Sequence, residues 1–66
     1  MRIIINGFPE EVGPEESLPA LIVRFNEQDP TLIVELNGAY VHRKELDAVR
    51  LKEGDRVEFI HAAFGG

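Results

Sequence analysis

A chain of 66 residues without a cysteine has to be held together by one small hydrophobic core. At this length a domain buries only about 60% of its unfolded surface. Chains this small are commonly stapled by disulfides or a structural metal. Disulfides, iron–sulfur clusters and thiolate zinc sites are all excluded here, and His42 and His61 show no metal-ligand spacing. The absence of cysteine fits a reducing compartment. A substrate-enclosing pocket of roughly 300–1,000 Å³ is hard to fit into one such core. The expectation is a single domain, residues 1–66, that offers a surface or an end to larger partners rather than an enzyme.

The formal charge is −5 and acidic residues occur along the whole chain, which leaves no basic face for a phosphate backbone. No nucleic-acid partner is expected. Met1 to Asn6 is too short for a signal-peptide apolar region, and no apolar run approaches a membrane span. The expectation is a soluble, cytoplasmic protein with no membrane partner.

Arg2 to Ile5 is a β-branched run stopped by Asn6-Gly7 and Pro9, so it reads as a strand entering a turn. Glu10 to Val12 then returns as the second arm. Ser17 can cap a helix, Pro19 is tolerated in its first turn, and Glu15 and Glu16 suit the positive end of its dipole. Leu18, Leu21, Ile22 and Phe25 follow one helical stripe, which predicts a helix over roughly Ser17 to Gln28, ended by Asp29-Pro30. Leu32 to Leu36 is a strand broken by Asn37-Gly38, with Ala39 to Val41 as a short partner. Arg43 to Val49 has weak helical character and reads as an irregular crossover. Lys52-Glu53-Gly54-Asp55 is a tight turn before the last strand, Arg56 to His61. One helix cannot bury its stripe without a sheet. The order predicts an α+β fold of β-grasp (ubiquitin-like) type, a small mixed sheet packed against one main helix. The expected core is Ile3, Ile5, Leu18, Leu21, Ile22, Phe25, Val34, Leu36, Val57 and Phe59.

The sequence resembles the ThiS/MoaD family of ubiquitin-like sulfur carrier proteins, with the thiamine branch nearest. The resemblance lies in Ile3-Ile4-Ile5-Asn6-Gly7, in Val34-Glu35-Leu36-Asn37-Gly38 with Val41 and Arg43, in Leu51 to Glu58, and in the final Gly65-Gly66. It implies that a ThiF-like adenylating enzyme spends ATP to convert the Gly66 carboxylate into an acyl adenylate. Sulfur from a persulfide-bearing donor protein then displaces AMP to leave a thiocarboxylate, which a thiazole synthase (ThiG-like) consumes. The carrier binds no cofactor and catalyses nothing. Gly65 and Gly66 lack side chains, so they can enter a narrow channel and leave the carbonyl open to attack. Phe64 stands where some members carry a third glycine, which places a ring at the channel mouth. Residues 62–66 are expected to be a flexible tail.

The residues also admit a molybdopterin-type carrier, a ubiquitin-like modifier conjugated through Gly66, or an interaction module whose Gly-Gly is incidental. Strand alternation puts Ile4, Ile33 and Ile60 on the sheet face away from the helix. With the first, last and third strands side by side, the three should form one apolar row for partner docking near the root of the tail.

Overall fold

The structure is a computed structural model and describes residues 1–61. A five-stranded mixed sheet in the order β2-β1-β5-β3-β4 carries one α-helix and a 3₁₀ helix. The strands are β1 (Arg2–Ile5), β2 (Phe8–Glu11), β3 (Leu32–Leu36), β4 (Ala39–Val41) and β5 (Arg56–His61). The helix α1 spans Leu18–Arg24, and the 3₁₀ helix spans Arg43–Ala48. β5 lies at the centre, parallel to β1 and antiparallel to β3. This is the expected β-grasp arrangement, with the first, last and third strands adjacent.

Both hairpins turn on Asn-Gly. Asn6 and Gly7 have φ of 50° and 86°, and Asn37 and Gly38 have 51° and 85°. Positive φ at both central residues is the turn whose twist matches that of the strands. The two asparagines also reach sideways to β5. Asn6 Oδ1 accepts from the Phe59 amide and Asn37 Oδ1 from the Arg56 amide, both at 2.8 Å. Each turn thereby fixes the strand beside it. Asn37 Nδ2 further donates to Asp55 Oδ1 at 3.0 Å, while Asp55 Oδ2 accepts from the Lys52 amide at 2.7 Å. Asp55 is buried, and these two bonds satisfy its carboxylate. Asn37→Ala removes the acceptor for Arg56, strips Asp55 of a donor and forces alanine into positive φ. It should lower the unfolding free energy by about 1–3 kcal/mol, read from the urea midpoint.

The helix begins as the sequence predicts and ends a turn early. Ser17 Oγ accepts from the Ala20 amide at 3.2 Å. No acidic residue lies in the first turn. Glu16 instead accepts from the Gly13 amide and from Arg24, both at 2.8 Å, and these bonds hold its carboxyl below the usual range, the Gly13 bond foremost and against some desolvation. At the other end Asn26 takes φ of 57°, with Asn26 N–H donating to Val23 and Glu27 N–H to Ile22. That is a Schellman cap with asparagine in the position glycine usually fills. Helix α1 therefore stops at Arg24 rather than near Gln28, and Asn26 ends it rather than Asp29-Pro30.

The core is Ile3, Ile5, Val12, Leu18, Leu21, Val34, Val57 and Phe59. Ile22, Phe25 and Leu36, expected inside, are half-buried and pack against its edge. Val12 was not among the expected core residues. It is drawn in by Met1, whose ammonium donates to the Val12 carbonyl at 2.7 Å and whose carbonyl accepts from the Val12 amide at 2.8 Å. The second strand runs earlier than expected, from Phe8, because the two-residue turn pairs Ile5 with Phe8.

Candidate functional site

Gly66, Gly65 and Phe64 lie outside the described residues, as does the whole expected tail, 62–66. The structure places the root from which that segment departs, His61 at the end of β5. β5 lies between β1 and β3, but β1 flanks only its beginning, and at the root the strand pairs with β3 alone, Leu32 opposite His61.

The face of the sheet away from α1 is the candidate docking surface. Ile33 and Ile60 stand directly opposite one another across β3 and β5, 37% and 39% exposed. Ile4 does not join them. It pairs with Arg56 at the start of β5, four residues from Ile60, or about 13 Å along the strand. The expected row of three is therefore a pair plus a separated residue. The cause is register: β1 runs parallel to β5 and meets only its beginning, whereas β3 runs antiparallel along its whole length.

Glu58 and Glu35 occupy the ground between. They face each other across the same two strands, and among the described residues no ion pair includes either. Adjacent like charges destabilise a sheet, and a cation brought by a partner would relieve the pair. Tyr40 lies opposite Glu35 on β4 and is 55% exposed. It meets His42 edge-on, with ring centres 4.6 Å apart. This aromatic pair escaped the sequence reading, although alternation about the half-buried Val41 carries the signal. The tail end of the open face thus holds Ile33, Ile60 and the Tyr40–His42 pair beside two carboxylates.

The helix side of the root is ionic. His61 Nε2 contacts Glu27 Oε1, and Nδ1 lies 3.8 Å from Asp29 Oδ2. Asp29 also accepts from the Thr31 amide at 2.8 Å and the Thr31 hydroxyl at 2.7 Å. Those bonds, the amide first and against some desolvation, hold its carboxyl below the usual range, with a smaller contribution from His61. Among the described residues no three His, Cys, Asp or Glu side chains gather as a metal site, and no helix is long and apolar enough to cross a membrane.

The sequence profile described as the ThiS family matches residues 3–66. The chain belongs to the ThiS family. No curated protein sequence matches it. Its fold is similar to the crystal structure of thiamine biosynthesis protein ThiS from Geobacter metallireducens, at 33% identity and a TM-score of 0.84, with 100% of each chain covered. It is also similar to the NMR solution structure of a thiamine biosynthesis protein from the same organism. That match has 33% identity and a TM-score of 0.74, covering 100% of this chain and 88% of the other. Membership in the ThiS family supports a small sulfur carrier rather than a catalyst, and with it interaction with adenylating and sulfur-transfer partners.

Proposed function

We propose that this ThiS-family chain carries sulfur as a thiocarboxylate on Gly66, for delivery to the thiazole of thiamine. The observation that supports this most directly is the family match running through Gly65-Gly66, beside structural relatives described as thiamine biosynthesis proteins. A ThiF-like enzyme spends ATP to join the Gly66 carboxylate to AMP, releasing pyrophosphate. The terminal sulfur of a persulfide attacks the acyl carbon and AMP leaves. Thiol cleavage of the remaining S–S bond frees the thiocarboxylate for a ThiG-like thiazole synthase. The carrier's contribution is a carbonyl with no neighbouring side chain to hinder the incoming sulfur, since Gly65 and Gly66 carry no Cβ. The test is the intact mass of the protein recovered from its native cell. A shift equal to one oxygen replaced by sulfur at the C-terminus is expected, and isopeptide-linked adducts on other proteins in its place would make it a modifier instead.

The adenylating enzyme docks, in this reading, on Ile33 and Ile60, with Tyr40 at the margin and Ile4 as a separate contact. Covering the apolar surface that each isoleucine still exposes contributes about 0.5–1 kcal/mol. A charge left in the covered interface costs more than that. Ile33→Arg or Ile60→Asp, with an unchanged circular dichroism spectrum, should weaken binding to the adenylating enzyme at least tenfold. Undiminished binding would place the docking surface elsewhere.

A further inference from the structure

The sheet face turned away from α1 has no layer of the described residues packed on it. Alternation with the buried Val57 and Phe59 turns Arg56, Glu58 and Ile60 of β5 onto this face. Alternation with the buried Val34 does the same for Ile33 and Glu35 of β3. Cross-strand register then sorts these side chains into rows. Ile60 stands opposite Ile33, Glu58 stands opposite Glu35, and Tyr40 of β4 stands opposite Glu35 on its other side. Two carboxylates and a phenol ring therefore lie abreast on three neighbouring strands, beside a step of two isoleucines.

Among the described residues no cation answers the two carboxylates, although Glu35 is half-buried. Arg56 comes next to Glu58 on this side of β5, stands opposite Ile4, and pairs with neither glutamate. Arg2 of β1 is taken by Glu11. Glutamate is a poor strand residue, and like charges set opposite one another weaken a sheet. The free chain thus keeps this row at a cost in stability. A second copy of the chain is a poor cover for the face, because a two-fold contact would add two more carboxylates to the two already there. Charge complementarity asks for a cation, and Tyr40 asks for a flat one. A guanidinium can donate to carboxylates through its fork and lie against a ring, whereas an ammonium is a compact, strongly hydrated point charge. Tyr40 is largely exposed and held edge-on by His42, which leaves ring surface to stack on.

We infer that the row Glu58–Glu35–Tyr40 receives an arginine side chain that projects from an apolar patch of the adenylating enzyme. The patch covers Ile33 and Ile60, and the arginine fixes the orientation in which it does so. An apolar pair supplies contact area without direction, whereas a charged fork on two carboxylates has one geometry. The net charge of −5 acts in the same sense by drawing a basic surface toward the carrier. This inference rests on the reading that the enzyme docks on this face.

The experiment is titration calorimetry of the whole chain against the adenylating enzyme, with Glu35→Gln, Glu58→Gln, their combination, Tyr40→Phe and Tyr40→Ala. Each glutamine should weaken binding at least tenfold, as truncating one partner of a covered charge pair does, and should flatten the dependence of binding on salt. Tyr40→Phe should bind like the native chain and Tyr40→Ala severalfold more weakly. In the free protein the urea midpoint should rise with each glutamine, because a like-charge contact is gone, whereas a merely structural role would lower it. Weakened binding by Ile33→Arg with none from the glutamine variants would keep the docking face and overturn the arginine. A double glutamine variant that binds undiminished and dimerises in sedimentation would make the row a guard against self-association instead. Absence of binding by the native chain would remove the docking reading and the inference with it.

Discussion

Extending the chain by a single residue beyond Gly66, or deleting Gly66, should abolish adenylation while leaving the fold intact. The reacting group in the proposed mechanism is the carboxylate of Gly66, five residues along the chain from the root at His61. An added residue moves that carboxylate by about 3.5 Å and leaves an amide where it stood. A shift of about 1 Å in a reacting group can cost a hundredfold in rate, so the expected loss is to background. Neither change touches the described core, which ends at Phe59, and the far-ultraviolet circular dichroism spectrum and urea midpoint should be unchanged. Pyrophosphate exchange is the measurement. Survival of exchange in the extended chain would show that the Gly66 carboxylate is not the acceptor.

The largest effect on stability should come from Leu21→Ala. Leu21 is fully buried, one of eight buried apolar residues among the described residues. Truncating such a leucine removes its transfer free energy and leaves a cavity, at about 2–5 kcal/mol. A 66-residue domain has a total stability of only roughly 3–10 kcal/mol. The variant should therefore melt at least about 8 °C lower, given a shift of roughly 4–8 °C per kcal/mol at this size. Val23→Ala on the opposite side of α1, where the side chain is 60% exposed, should change the midpoint little. Equal effects from the two substitutions would mean that the helix presents a different face to the sheet.

The parts of this fold that were legible in the sequence are those decided within a few residues. Asn6-Gly7 and Asn37-Gly38 declare their turns because positive φ at two successive positions suits few other pairs. Leu18 and Leu21 declare the buried side of the helix by spacing, and Ser17 its start. The end of the helix was hidden, because Asn26 stops it only once Glu27 and Ile22 are in place to close the cap. The grouping of Ile4 with Ile33 and Ile60 failed for a different reason. Alternation assigns a face, but the offset between β1 and β5 is a property of two strands more than fifty positions apart. The contact between His61 and Glu27 was equally out of reach, since it spans 34 positions. Of the functional end, the sequence and its family resemblance supply Gly65 and Gly66, and the structure adds the root beneath them.

The central position of β5 has a mechanical consequence. In the proposed mechanism, drawing the C-terminal segment into an enzyme's channel would pull along the axis of β5, and its hydrogen bonds to β1 and β3 lie across that axis. Bonds loaded in that direction share the force, whereas bonds at a peeled edge break one after another. The sheet can thus serve as a stiff handle for its own tether, transmitting tension to a partner without unravelling. Single-molecule pulling from residue 66 should give a higher rupture force than pulling from a residue on the edge strand β4.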